Sequence, residues 1–158
     1  MKSHPLSKTD SNEMLEAMAS QWKIELPKIK TLVKHEIDEE TSIITGDGFT
    51  AIKSGDTYLP FLSETGLLER FPKVMVDAGA IKFVCNGANV MRPGIKNFTT
   101  FQKDEIVCVA EETHNKFLAI GKALLSSDEM SNITKGEAVK NLHYISDKYW
   151  EAAKTMKK

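Results

Sequence analysis

One stretch of the chain contains glycines that leave its backbone accessible to another molecule. Residues 76–95 read VDAGAIKFVCNGANVMRPGI. The pattern predicts a strand, a short helix that begins at Asp77 and ends at Gly87, a second strand, and a turn at Pro93-Gly94. Because a glycine carries no side chain, a phosphodiester strand can come close to the backbone at these positions.

Basic side chains flank the same glycines. Lys82, Arg92 and Lys96 lie within or directly after this stretch. Arginine contacts phosphate oxygens with two parallel donors, and lysine supplies a point charge. The combination suits a nucleic acid. Spacing alone also allows a tight structural turn with solvated basic side chains.

The other chemically reactive residues do not form a recognisable catalytic or metal-binding pattern. The histidines lack a cysteine, serine or aspartate at a triad or ligand spacing. Two cysteines this far apart form neither a zinc motif nor a redox motif, and Cys108 lies in an apolar strand where it acts as a small hydrophobe. The acidic run at 36–40 is typical of a solvated loop, and Asp47-Gly48 of a turn. We therefore predict no catalysis, metal or cofactor. The histidines and cysteines considered are His4, His35, His114, His143, Cys85 and Cys108.

Length and composition indicate an ordinary globular chain. It has 158 residues, of which 41% are hydrophobic and 27% charged. No apolar run approaches the ~18 residues of a membrane span, and no apolar stretch follows Lys2 as it would in a secretory signal. We expect a cytoplasmic protein that does not enter a membrane.

The net charge hides a difference between the two halves. The whole chain has 21 basic and 22 acidic residues, a net charge of −1. Residues 1–71 contain 8 basic and 12 acidic residues (−4), and residues 72–158 contain 13 and 10 (+3). Such an asymmetry hints at a polar partner for the second half.

The first half reads as one helix followed by short strands. We expect a frayed start over the first nine residues, a capping box at Asp10 and Glu13, and a helical face that continues to Trp22. A short helix capped by Ser63 follows the strands, and Pro72 marks a domain boundary. The predicted strands are Thr31–Ile37, Ser42–Thr45, Phe49–Lys53 and Thr57–Phe61.

The second half reads as short strands with small helices, which suggests a small, partly closed barrel. The helix after Asp77 is expected to bury Ala80, Phe83 and Val84. A hairpin turns at His114-Asn115. The remaining predicted elements are strands at Val74–Val76, Ala88–Met91, Glu105–Ala110, Phe117–Leu125 and Ala138–Ile145, a helical turn at Ser127–Ile133, and a helix at Lys148–Ala153.

Three segments of this half together resemble a PUA domain, an RNA-binding module. They are GAIKFVCNGANVMRPGI, then KFLAIGKALLSS at 116–127, and NLHYISDKYW at 141–150. The sequences of these segments are similar to those of the malignant T-cell-amplified sequence and ligatin group of translation proteins. In that group a pre-PUA domain precedes the PUA domain. The resemblance implies an α+β protein: a smaller α+β pre-PUA domain at 1–71, then a PUA-type mixed β-barrel with short helices at 72–158.

Two positions depart from the family pattern. Lys103-Asp104 stands where the family often has Gly-Asp, so the shape of that loop is less defined. In the hairpin, Asn115 must adopt the left-handed conformation that the family's glycine provides, which asparagine tolerates.

The resemblance also implies an RNA-facing surface. It comprises the loop between helix and strand and part of the closing strand, with the glycines shaping the backbone, the basic residues contacting phosphates, and Asn89, His143 or Tyr144 contacting a base or a 2′-hydroxyl. The implied residues are Lys82, Asn86, Gly87, Ala88, Asn89, Arg92, Gly94, Lys96, Lys140, His143 and Tyr144.

The function implied is that of a non-catalytic RNA-binding protein of the translation apparatus. The expected partners are tRNA or small-subunit ribosomal RNA, the small ribosomal subunit, and a protein resembling the density-regulated protein. One alternative is a tRNA-recognition subunit for an RNA-modifying enzyme such as a tRNA transglycosylase or a pseudouridine synthase. Another is a protein-interaction adaptor with an incidental basic surface.

Overall fold

The fold is built on two β-sheets, one from each half of the chain. A computed structural model describes residues 1–156. The first sheet has five antiparallel strands in sequence order, and the second has six strands that include one parallel pair. The α+β class predicted from the sequence is confirmed.

The first sheet is a simple meander covered by one long helix. Helix α1 occupies Lys8–Trp22, and the short helix α2, Thr65–Leu68, follows the last strand. The strands are β1 Lys2–Pro5, β2 Val33–Glu36, β3 Thr41–Gly46, β4 Phe49–Ser54 and β5 Thr57–Pro60.

The second sheet is formed by the second half of the chain, and its last strand is followed by a helix. Its strands are β6 Lys73–Val76, β7 Val90–Met91, β8 Ile95–Phe98, β9 Ile106–Glu111, β10 Lys116–Ala123 and β11 Glu137–Tyr144. Their spatial order is β7-β11-β10-β9-β6-β8, and β6 and β9 are parallel. The helices are α3 Ile81–Val84, α4 Ser127–Ser131 and α5 Lys148–Lys154, with 3₁₀ turns at Ala78–Ala80 and Arg92–Gly94. Strand β8 was not expected from the sequence, and the strand predicted at Ala88–Met91 is only the two residues of β7.

Three expectations for the first half are wrong. The start of the chain is not frayed, because Lys2–Pro5 pairs with β2 as an edge strand. Helix α1 begins earlier than expected: Ser7 is its cap, and its hydroxyl accepts from the Asp10 backbone N–H at 3.0 Å. Helix α2 has no side-chain cap at all, since Glu64 and not Ser63 precedes it.

The turn chemistry is as the sequence indicates. Asp47 and Gly48 both have positive φ, at 49° and 80°, which matches the type I′ geometry favoured in two-residue hairpins. Asn115 takes the left-handed conformation with φ 54° in the turn between β9 and β10.

The two halves share one hydrophobic core. Met18 and Trp22 of α1 pack in the same cluster as Cys108 of β9, Ile120 of β10 and Tyr149 of α5. A second cluster is formed only by residues after 73. Cys108 is a buried free cysteine, and burial raises the pKa of its thiol to about 12. The domain division at 71/72 stays a prediction.

A buried histidine connects the halves. His143 of β11 is completely buried, and its Nε2 accepts a hydrogen bond from the Leu62 backbone N–H at 3.2 Å. A backbone N–H can only donate, so Nδ1 carries the ring proton and donates it to Asp147 Oδ2 at 2.8 Å. Asp147 also accepts from the backbone N–H groups of Tyr144 and Trp150, which caps α5.

Replacing Asp147 with alanine should destabilise the protein strongly. The change removes a helix cap and leaves the buried His143 Nδ1–H without an acceptor, and together these should cost about 3 kcal/mol of unfolding free energy. Urea unfolding measures the loss.

The matched control is Ser126→Ala, which removes the cap of α4 but leaves no buried group unpaired. It should cost about 1 kcal/mol. Equal losses for the two variants would contradict a linking role for the buried network.

Candidate nucleic-acid interface

A short helical segment, made of a 3₁₀ turn that continues into α3, precedes the glycine loop. The Asp77 carboxylate accepts from the Ala80 backbone N–H at 3.1 Å and starts the 3₁₀ turn that leads into α3. At the end of α3, the Ala88 N–H reaches back to the Phe83 carbonyl and the Gly87 N–H to the Val84 carbonyl. This is a Schellman motif, which requires a left-handed residue at Gly87, and its φ is 94°.

Gly87 also makes a close packing contact. A Cβ at this position would lie 3.1 Å from the Tyr144 hydroxyl oxygen and 3.2 Å from its ring. Tyr144 of β11 is half-buried and supports the loop from below. The missing side chain therefore serves both the backbone conformation and the approach of the loop to β11.

Side-chain amides fasten the loop to the closing strand. Asn89 Oδ1 accepts from the Asn141 backbone N–H at 2.9 Å, and Asn141 Nδ2 donates to the carbonyls of Val84 and Ala88, both at 3.0 Å. Asn89 Nδ2 donates to Glu137 Oε2 at 3.3 Å. These bonds connect the loop to β11 and to the end of α3.

An apolar groove lies between this helical segment and β7. Its volume is about 450 Å³. Phe83 is 58% exposed and Met91 47%, and they are two of the three large hydrophobic side chains that are exposed in the described part of the chain. The groove is lined by Asp77, Gly79, Ala80, Phe83, Val84, Ala88, Asn89, Val90, Met91, Gly94 and Glu137.

The polar groups in the groove are mostly acceptors. The carboxylates of Asp77 and Glu137 are on its wall, and Lys82 is beside it, with Nζ 5.2 Å from the centre of the Phe83 ring. An apolar slot with an exposed ring and hydrogen-bond acceptors suits an unstacked base with an exocyclic amine. It does not suit a phosphate, because the carboxylates repel one.

Arg92 is held by the fold. Its Nε donates to the Met130 carbonyl at 2.9 Å and one terminal nitrogen to the Ile95 carbonyl at 3.2 Å, while the guanidinium lies 5.5 Å from the Phe98 ring centre. The sequence predicted that Arg92 contacts phosphates, but part of its guanidinium is already hydrogen-bonded within the protein. Removing Arg92 would disturb the turn before β8 as well as any phosphate contact.

Two of the predicted surface residues lie elsewhere. The assignment of His143 to the RNA-facing surface is wrong, because the imidazole is enclosed in the core. Lys140 is exposed, but it lines a different cleft, on the face of β11 opposite the amide of Asn141.

The other predicted residues lie at or near the groove. Ala88, Asn89 and Gly94 line it. Asn86 is exposed at the end of α3, Lys82 is on α3, and Lys96 is exposed on β8.

Sequence reasoning missed the two apolar side chains that define the groove. Phe83 was expected in the core because it falls on the same helical face as Ala80 and Val84, and that expectation is wrong. Nothing in the sequence around Met91 predicted that its side chain would line the groove. A helix of four residues is too short for periodicity to decide which side is buried.

Among residues 1–156, no three His, Cys, Asp or Glu side chains converge as metal ligands would. Over the same residues, no helix has the length and apolarity needed to span a membrane.

Comparison with known proteins identifies the second half. The family model described as the PUA domain matches residues 72–145. A hypothetical protein from Pyrococcus horikoshii, known as a crystal structure, has 33% identity and a TM-score of 0.82, covering 96% of this chain and 99% of that one. The chain contains a PUA domain at residues 72–145.

Curated relatives carry translation-related names. Translation machinery-associated protein 20 of Eremothecium gossypii is 39% identical over 89 residues, which is 52% of this chain and 49% of that protein. Malignant T-cell-amplified sequence 2 of Homo sapiens is 34% identical over 123 residues, 71% of this chain and 66% of that protein. The chain thus spans about half to two thirds of these relatives. The resemblance read from the sequence is confirmed.

Arg92→Ala and Lys96→Ala should separate structure from surface charge. Loss of Arg92 removes its hydrogen bonds to the Met130 and Ile95 carbonyls and should cost about 2 kcal/mol of unfolding free energy. Loss of the exposed Lys96 should change it by less than about 0.5 kcal/mol. Urea titrations of the two variants test this, and equal stabilities would show that the Arg92 contacts carry no weight.

Gly87→Ala and Gly136→Ala form a second matched pair. Both glycines have positive φ, 94° and 101°, but a Cβ at Gly136 meets nothing within 4 Å. Both variants should lose about 1 kcal/mol from backbone strain, and Gly87→Ala should lose more because Tyr144 must move. Thermal unfolding midpoints give the comparison. A smaller loss for Gly87→Ala would contradict the close packing under the loop.

Proposed function

We propose that this protein binds RNA in the translation apparatus and holds an unpaired base in the groove beside α3. The PUA domain and the translation-associated relatives support an RNA-binding, translation-related role. The finer targets in the proposal are the unpaired 3′ end of tRNA or an exposed base of small-subunit ribosomal RNA. No catalytic step is part of the proposal.

The exposed Phe83 ring is the observation that carries the base-binding role. Phe83 is 58% exposed and lines the same groove as the exposed Met91, and exposed apolar surface of this kind marks ligand-binding grooves. Bases stack on such rings, and the neighbouring Asp77 and Glu137 offer acceptors for a base amine. The groove is held open by the amide bonds around Asn89 and Asn141, so binding needs little reorganisation.

Phosphate contacts in this proposal come from the rim of the groove. Lys82 and Lys96 are exposed, and Arg92 keeps terminal donors beyond the one used on Ile95. The +3 balance of residues 72–158 is modest. We therefore expect the affinity to depend on the groove as well as on charge.

The division of labour between the halves belongs to the same proposal. Residues 72–158 act as the PUA domain and bind RNA, while the acidic residues 1–71 act as a pre-PUA domain that faces protein. The partners proposed are the small ribosomal subunit and a protein resembling the density-regulated protein.

Phe83→Ala should weaken the binding of tRNA about 5- to 100-fold, because one stacked base is worth about 1–3 kcal/mol. Phe83→Tyr keeps the ring and should bind like the parent. Fluorescence anisotropy with intact tRNA and with tRNA lacking its unpaired 3′ nucleotides measures the affinities.

Trimming the tRNA should have little further effect on Phe83→Ala if the ring holds the 3′ end. Equal affinities of the parent and Phe83→Ala would refute the groove as a base site. Sedimentation with small ribosomal subunits then tests the translation role, whereas stable co-purification with an RNA-modifying enzyme would contradict it.

A further inference from the structure

A second cleft lies between the two sheets, away from the groove. It has a volume of about 180 Å³. One wall comes from β4 and β5 and the other from β10 and β11. The lining residues are Ser54, Thr57, Leu59, Lys122, Lys140 and Leu142.

Two lysines face each other across one wall of this cleft. Lys122 of β10 and Lys140 of β11 are direct partners in the antiparallel register, so their side chains lie on the same face. Like charges directly opposite each other on a sheet are unfavourable. Neither lysine forms an ion pair within residues 1–156.

Carboxylates are absent from the lining of the cleft. Glu105 lies next to the strand partner of Lys122, but its carboxylate is 3.5 Å from Lys23 Nζ and is already paired. Glu137 of β11 accepts from Asn89 on the groove side. Asp56 is exposed in the turn between β4 and β5 and does not line the cleft.

The opposite wall offers hydroxyl groups. Ser54 and Thr57 are direct partners across β4 and β5, so their side chains also lie on one face, toward the cleft. Leu59 and Leu142 supply apolar surface beside these groups. Two lysines and two hydroxyl-bearing residues line this small space, so they can supply hydrogen-bond donors to an oxyanion, and the volume holds several waters or a phosphate group.

We propose that Lys122 and Lys140, with Ser54 and Thr57, form a phosphate-binding site between the two sheets. A phosphate there relieves the repulsion between the lysines and bridges the two halves. The phosphate belongs either to an RNA backbone or to a small free anion. The site lies beyond the proposed base groove, and only its RNA form rests on the proposed function.

The test compares the parent with the double variant Lys122→Gln, Lys140→Gln in the full chain. The control is Lys28→Gln, Lys30→Gln, which removes the same charge from two exposed lysines outside the cleft. Because the double variant removes a repulsive pair, its thermal unfolding midpoint in chloride should be no lower than that of the parent, which also checks folding.

The first measurement titrates inorganic phosphate against chloride at equal ionic strength. Phosphate raises the unfolding midpoint of every variant a little by exclusion from the surface. The parent and the control should show an additional saturable rise from binding, and the double variant should lack it.

The second measurement is the salt dependence of tRNA binding. If the site holds an RNA phosphate, the slope of log K against log salt should be shallower by about one in the double variant and unchanged in the control. A phosphate effect without a slope change assigns the site to a free anion, and a slope change assigns it to RNA.

The double variant matching the parent in both measurements would overturn the proposal. If the parent does not bind tRNA at all, the proposed function fails, but the phosphate titration still decides whether the site exists.

Discussion

The structure depends on one buried imidazole. His143 lies in the closing strand of the second sheet, yet its two nitrogens contact the chain after the first sheet at Leu62 and the cap of α5 at Asp147. An enclosed polar ring is tolerated only when both nitrogens are paired, so this pair of bonds sets the position of β11 relative to the first sheet. Phe61 extends the link, since its ring packs at 5.0 Å from His143 and stacks at 5.9 Å on Trp150.

With β11 in place, its two faces acquire different chemistry. On one face the Asn141 amide binds the glycine loop and Tyr144 supports Gly87, which shapes the groove. On the other face Lys140 meets Lys122 in the cleft between the sheets. The groove offers an aromatic ring and acceptors, and the cleft offers cations. A base and a phosphate are the ligands that we propose for these two surfaces.

Local patterns predicted most of the elements. Turn residues such as Asp47-Gly48, Asn115 and Gly87 are of the few types that tolerate a positive φ, so their positions could be predicted directly. The fold class and the PUA resemblance also followed from ordered segments of the sequence. The sequence predicted only part of the groove. Its glycines were predicted, but Phe83 was expected in the core. A four-residue helix has no period that distinguishes an inner from an outer face.

The sequence by itself determined the secondary structure of most segments, the left-handed loop at Gly87, the family and the charge difference between the halves, because each depends on residues close in the chain or on an ordered motif. Only the tertiary structure decided which polar residues are available. It buried His143, bound Arg92 to the Met130 and Ile95 carbonyls, exposed Phe83 and set Lys140 against Lys122. Most of these outcomes depend on contacts between segments that are far apart in the chain, and strand register and packing set those contacts.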